Sequence, residues 1–179
     1  DAGVAEALEL ARGGATLLLE RGEVIAGAEL ARDYVDIARA ASTEPLTEAQ
    51  YESRVRDMLA MDAAFTKTKV TPELLRERKR FLKLALEFTV AKGPWDLGEP
   101  RLHDAAASNA MAASEWTAAF KHMLQAQVPA KAAAVVAQGL RSASSAELEV
   151  RLTMFVLQYL ALENLRDANV FFTTFKAEA

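Results

Sequence analysis

With 179 residues, no cysteine and a formal charge of −4, the chain can bury a sizeable core but can form no disulfide, thiolate metal site or cysteine nucleophile. Apolar residues make up 51% of it, aromatics only 7%, with 8 Gly and 5 Pro, a balance that favours helix over a large sheet. No apolar run approaches the ~20 residues of a bilayer span and the N-terminus has no signal-peptide pattern. The acidic balance speaks against nucleic acid, so the expectation is a cytosolic protein that binds no nucleic acid and does not insert into membranes.

Apolar residues recur at helical spacing along the chain, and cap residues divide the pattern into nine predicted helices. The first runs near Val4 to Glu20 and the second near Val24 to Ala40. After "STEP", Thr47 and Gln50 have the spacing of a capping box, opening a third helix to about Phe65. Thr71, with Pro72 at the first helical position, opens a fourth to about Ala91. "KGPWDLGEP" is the one loop rich in both Gly and Pro. Beyond it, helices are predicted near 101–113, 115–126, 129–141, 145–162 and 165–176, the eighth behind an S-x-x-E box of Ser144 and Glu147. The last break, "EN" within "YLALENLRDANVFFTTF", has neither Gly nor Pro. Asn164 is its predicted cap, and Asp167 adds negative charge to the first turn. Such short connections make neighbouring helices antiparallel.

Three of the predicted hairpins share a register in which a small residue on one helix is followed twelve positions later by alanine on the next: Gly14 and Ala26, Ala107 and Ala119, Val156 and Ala168. Tyr159 follows the last first-helix member by three positions and Phe172 follows Ala168 by four. This is the tetratricopeptide register, in which helices crossing at about 8–10 Å leave room only for small side chains. The alanines are spaced 93 and 49 residues apart, so the reading is an all-α, tetratricopeptide-like α-solenoid of unequal antiparallel hairpins, one domain over 1–179. An irregular helical bundle is the alternative.

Chemistry is sparse. His103 and His122 stand nineteen apart with no metal-ligand spacing, and are read as structural histidines. "RGGAT" at 12–16 lies inside a helix without the strand and Lys of a phosphate loop, so its glycines are read as close helix contacts. No nucleophile elbow or acid pair stands out, and the reading assigns no catalytic residue, cofactor or metal. One stretch departs from the acidic whole: "KTKVTPELLRERKRFLK" at 67–83 carries seven basic and two acidic residues. Arg76, Arg80 and Lys83 share one helix face opposite an apolar stripe of Leu74, Phe81, Ala85 and Phe88. The functional readings of that face are a docking patch for an acidic partner, a nuclear import signal or a nucleic-acid contact; the plainer one is a solvated surface trimmed by Glu73–Arg76 and Glu77–Arg80 pairs.

The segments "GATLLLERGEVIAGAEL", "RKRFLKLALEF", "GEPRLHDAAASNAMAASEWTAAFKHM" and "VLQYLALENLRDANVFFTTF", in that order, resemble the Golgi-to-ER traffic protein 4 family. The resemblance spans nearly the whole chain and implies a non-catalytic, all-helical scaffold of the cytosolic pathway that delivers tail-anchored proteins to the endoplasmic reticulum. It implies two partners: a targeting ATPase held by the N-terminal half and a ubiquitin-like-domain subunit held by the C-terminal half. Glu29, in "GAEL", falls at a family position occupied by an acid near the ATPase. The family also continues beyond both ends of this sequence, and the apolar outer helices lead to the same expectation of further helices before Asp1 and after Ala179. A chaperone-tail receptor is disfavoured, because the clamp positions hold Ala11, Ala15, Asp104, Ser108, Thr153 and Leu157. A regulatory subunit or enzyme on a helical solenoid, with Trp95 lining a pocket, is the remaining rival; the plainer reading of Trp95 is a hydrophobic anchor that pins its loop.

Overall fold

A computed structural model describes residues 2–42, 46–139 and 145–178, and among them there are nine α-helices and no strand. They are α1 (Ala2–Glu20), α2 (Val24–Ala41), α3 (Glu48–Lys67), α4 (Pro72–Lys92), α5 (Pro100–Ala112), α6 (Trp116–Gln125), α7 (Pro129–Gly139), α8 (Ser145–Ala161) and α9 (Leu165–Glu178). The predicted caps set several starts. Thr47 and Gln50 form a full capping box before α3, and Thr71 accepts from the Leu74 N–H before α4, with Pro72 in the first turn. The Asn164 side chain accepts the Asp167 N–H at 3.0 Å and donates to the Asp167 carboxylate at 2.8 Å. Ser144 lies outside the described residues.

Three connections, α1–α2, α5–α6 and α8–α9, are one turn built three times from different residues. Each places a single residue in the left-handed region: Gly22 (φ 83°), Ser114 (φ 60°) and Glu163 (φ 56°). The next N–H then reaches back to a carbonyl five residues earlier: Glu23 to Leu18 at 2.9 Å, Glu115 to Ala110 at 2.8 Å, Asn164 to Tyr159 at 3.0 Å. This Schellman closure satisfies the last carbonyls of one helix while its final residue already starts the next, so the hairpin is tight without proline.

With the three turns superposed, the close-approach positions are Ala15 and Gly27, Ala107 and Ala119, Val156 and Ala168. The first pair corrects the sequence register by one residue: Ala15 and Gly27 are buried, whereas Ala26 is exposed. Both candidate pairs keep the twelve-residue spacing, and a one-residue shift turns a helix by about 100°, so burial decides between them. A methyl on Gly27 would stand 2.7 Å from Leu19 Cγ and 3.0 Å from the Leu19 nitrogen. Gly14 also faces α2, through Leu30, while Gly13 looks into open space. In the last hairpin the packed aromatics are Phe171 and Phe175 rather than Phe172, which is 41% exposed.

The hairpins stack as a solenoid, and cross-helix pairs show the direction. Arg12 meets Asp57 and Glu20 meets Lys67, so α1 and α3 run parallel. Arg32 meets Glu77 and Arg39 meets Glu87, so α2 and α4 run parallel beside them. Tyr51 and Glu52 bind Glu99 and Arg101, carrying the first row on to α5. The core lies in two clusters. One joins α1 to α5 around Tyr34, Phe65, Phe81 and Phe88; the other joins α5 to α9 around Met123, Tyr159, Phe171 and Phe175. In the second half α7 packs chiefly against α9, so the simple alternation of the first half changes there.

Candidate partner-binding surfaces

Glu77 is buried on α4 and receives three guanidinium groups: Arg32 of α2 at 2.6 Å, Arg80 at 2.8 Å and Arg76 at 3.7 Å. Burial alone would raise its pKa, but hydrogen bonding to Arg32 and the charges of Arg80, Arg32 and Arg76 hold it below the usual carboxylate value. Arg76 and Arg80 keep about 60% of their side chains exposed, and Lys83 keeps 76%, with its nearest carboxylate, Glu87, at 3.9 Å. The expected Glu73–Arg76 and Glu77–Arg80 pairs are both present. The opposing stripe of Leu74, Phe81, Ala85 and Phe88 is buried, as its spacing required. The basic ridge is therefore pinned from below by Glu77 while its outer edge faces solvent.

Glu29 is exposed on α2, one turn from Arg32, and is followed at helical spacing by exposed Asp33 and Asp36. The structure thus sets an acidic strip on α2 beside the basic ridge of α4, linked through Arg32 and Glu77. The strip was not evident from Glu29 alone; the signal that could have revealed it is the i, i+4, i+7 run of acids.

"KGPWDLGEP" is held by a buried polar knot. Glu99, 3% exposed, caps α5 and accepts from the Tyr51 hydroxyl at 3.0 Å and Arg101 Nε at 2.6 Å. Its own N–H donates to the Thr89 hydroxyl at 3.1 Å. Burial opposes ionisation, but the hydrogen bonds from Arg101 and Tyr51 prevail and keep the carboxyl below its ordinary pKa. The Tyr51 hydroxyl is driven up by burial and by the Glu99 charge. Gly93 is required because a methyl there would lie 2.5 Å from the Tyr51 ring, and Gly98 takes φ 97°. Trp95 is 42% exposed, so this knot, and not the tryptophan, anchors the loop.

The two histidines meet. His103 Nδ1 lies 2.9 Å from His122 Nδ1, and His103 Nε2 lies 2.8 Å from the Leu97 carbonyl. A carbonyl only accepts, so His103 carries its proton on Nε2 and His122 donates from Nδ1. Burial, the neighbouring His103 and Lys79 push the pKa of His122 down to about 4. Both rings are thereby neutral at ordinary pH and tie α5, α6 and the loop together, a structural role that matches the sequence reading. Among the described residues no group of three or more His, Cys, Asp or Glu side chains could hold a metal, and no helix is long and apolar enough to cross a membrane.

At the other end, α8 shows an apolar stripe of Val150, Met154 and Leu157, with Phe172 of α9 beside it, each more than 40% exposed. Leu152, Val156, Leu157 and Phe172 line a shallow cleft on this face.

The comparisons with known proteins agree with this architecture. A family model described as "Golgi to ER traffic protein 4" matches residues 2–179. The solved structure titled "Crystal structure of C. therm. Get4" superposes with a TM-score of 0.83 over 98% of this chain, at 24% identity. The chain spans about half of that protein, 53% of its length. A search of the curated proteins returned no match.

Proposed function

The chain belongs to the Golgi to ER traffic protein 4 family, and from that membership we propose that it is a non-catalytic scaffold of the cytosolic route that inserts tail-anchored proteins into the endoplasmic reticulum. In this reading it bridges a targeting ATPase and a ubiquitin-like-domain subunit linked to an upstream co-chaperone. The family match over residues 2–179 carries the proposal. The geometry supports it in two places. The strip of Glu29, Asp33 and Asp36, beside the ridge of Arg76, Arg80 and Lys83, is a mixed-charge surface suited to a steered encounter with the ATPase. The apolar face of α8 and α9 suits a longer-lived contact with the ubiquitin-like subunit. Holding both on one solenoid, residues 1–179 acting as a single unit, raises the effective concentration of one partner near the other.

Calorimetric titration of the full-length protein with each partner tests the assignment. Glu29→Lys is expected to weaken ATPase binding and leave the ubiquitin-like subunit untouched; Leu157→Asp is expected to do the reverse. Equal effects of either substitution on both partners would defeat the division of labour. ATP turnover by the scaffold alone would defeat the non-catalytic assignment.

A further inference from the structure

The second row of the solenoid breaks after α4. α2 lies along α4 and is tied to it at two points two turns apart, through Arg32–Glu77 and Arg39–Glu87. α6 should continue the row, but among the described residues its one salt bridge to α4 is at its N-cap, where Lys79 bonds Glu115 at 2.6 Å. Beyond that tie a trough of about 440 Å³ opens over α5. Its floor is a row of small residues and one amide: Ala106, Asn109 and Ala110. Leu82, Leu86 and Val90 of α4 form one wall; Ala118 and His122 of α6 form the other.

We propose that this trough receives a helix of a partner protein, about three turns long, which takes the place in the row that α6 leaves empty. The α4 wall from Lys79 to Val90 gives the length, roughly 16 Å at 1.5 Å per residue. Its leucines and valine recur at one-turn intervals, which matches apolar residues at i, i+4 and i+7 on the incoming helix. The alanines of the floor allow the close axial approach of packed helices.

Two polar features specify the occupant further. Asn109 is 2% exposed and donates Nδ2–H to the Leu75 carbonyl at 3.0 Å, which leaves its buried Oδ1 with no partner among the described residues. An acceptor in that state asks for a donor, so the helix carries a hydroxyl or amide side chain amid its apolar face. Lys83 stands on the lip with its side chain 76% exposed and Glu87 at 3.9 Å; Arg80 and Arg76 lie one and two turns before it, and because Glu77 is taken up by Arg32, Arg76 and Arg80 and Glu115 by Lys79, Lys83 is the least paired cation at that end of the trough. The helix therefore carries an acidic residue at the matching end. The trough floor is distinct from the Glu29 strip and from the α8–α9 face, but its lip shares Lys83 with the basic ridge assigned above to the ATPase encounter.

The test uses the full chain and a fluorescent synthetic helical peptide of about fourteen residues, with leucines at i, i+4 and i+7, a serine among them and a terminal aspartate. Anisotropy should report saturable binding, weakened about three- to five-fold by Lys83→Glu and regained when the peptide's aspartate is replaced by lysine. Replacing the peptide's serine by alanine should also weaken it. Ala110→Phe fills the floor and should cost at least about tenfold; if that variant does not fold, the charge exchange at Lys83 decides alone. Absence of saturable binding, or binding indifferent to the Lys83 exchange, overturns the proposal. So does a trough that takes palmitate in preference to the peptide, or one that Ala110→Phe shows to mediate self-association of the chain.

Discussion

Three glycines inside helices of the first hairpin, Gly13, Gly14 and Gly27, allow the register of the solenoid to be tested by the sign of a single methyl group. In each case Gly→Ala gains about 0.8–1 kcal/mol of helix propensity; what differs is the space. At Gly13 a methyl meets nothing within 4 Å, so Gly13→Ala should stabilise by close to the full propensity gain. At Gly14 it would meet only the end of the Leu30 side chain, at 2.9 Å, which can rotate away, so the net effect should lie near zero. At Gly27 it would meet Leu19 Cγ at 2.7 Å and the Leu19 backbone nitrogen at 3.0 Å, on a buried residue that cannot withdraw without parting the helices. Overpacking of this kind costs about 1–3 kcal/mol, so Gly27→Ala should destabilise by about 1–2 kcal/mol after the propensity gain. For a chain of this size each kcal/mol moves Tm by about 2–4 °C, and a thermal melt followed by circular dichroism resolves the order 13 above 14 above 27. The reverse order, with Gly14→Ala the damaging change and Gly27→Ala harmless, would restore the Gly14–Ala26 pairing and refute the crossing described here.

Glu99→Gln should destabilise by about 2–3 kcal/mol, since it removes a buried charge that Arg101 and Tyr51 both bind; Tyr51→Phe should cost about 1 kcal/mol and its effect should shrink in the Glu99→Gln background, which urea melts of the double-mutant cycle would show. The histidine pair makes stability pH-dependent: the folded-state pKa of His122, about 4, lies below its ordinary 6.5, so below pH 6.5 the unfolded chain binds more protons and stability falls with pH until about pH 4. Between pH 7.5 and 5 the loss should be about 1–2 kcal/mol, and His122→Gln should flatten it; a profile unchanged by that substitution would show that other groups set the slope.

Helix number and most boundaries were legible because local caps announce them. Thr47 with Gln50, Thr71 with Pro72, and Asn164 with Asp167 each act within four residues of the chain, and each does in the structure what its spacing says. The crossing register was less legible, since adjacent candidates in the first hairpin, Gly14 with Ala26 and Ala15 with Gly27, satisfy the same spacing. Phe172 was chosen over Phe171 by the same kind of ambiguity: in "VFF" one residue of rotation separates a buried ring from one that is 41% exposed. The charged face of α4 was visible, but the buried Glu77 beneath it was read only as a surface partner of Arg80, because Arg32 reaches it from 45 residues away.

That distance bears on the site itself. Through the first half of the chain the stacking contacts recur at nearly constant separation: 45 residues for Arg32 and Glu77, 47 for Glu20 and Lys67, 48 for Tyr51 and Glu99, 49 for Glu52 and Arg101. The contact that should carry the second row forward, Lys79 to Glu115, spans only 36. The step shortens because α5, the helix that lies wholly inside it, has 13 residues, against 20 and 21 in α3 and α4, and α6 that follows has only 10. A ten-residue helix rises about 15 Å and cannot lie along the roughly 31 Å of α4. Once α6 is anchored at Glu115, it faces α4 across the trough only as far as His122, and the opening over Ala106 and Ala110 follows from helix length. The cause of the gap is therefore written in the sequence as two short helices after "GEP", whereas the residues that would hold a partner there come together only when hairpins far apart in the chain are stacked.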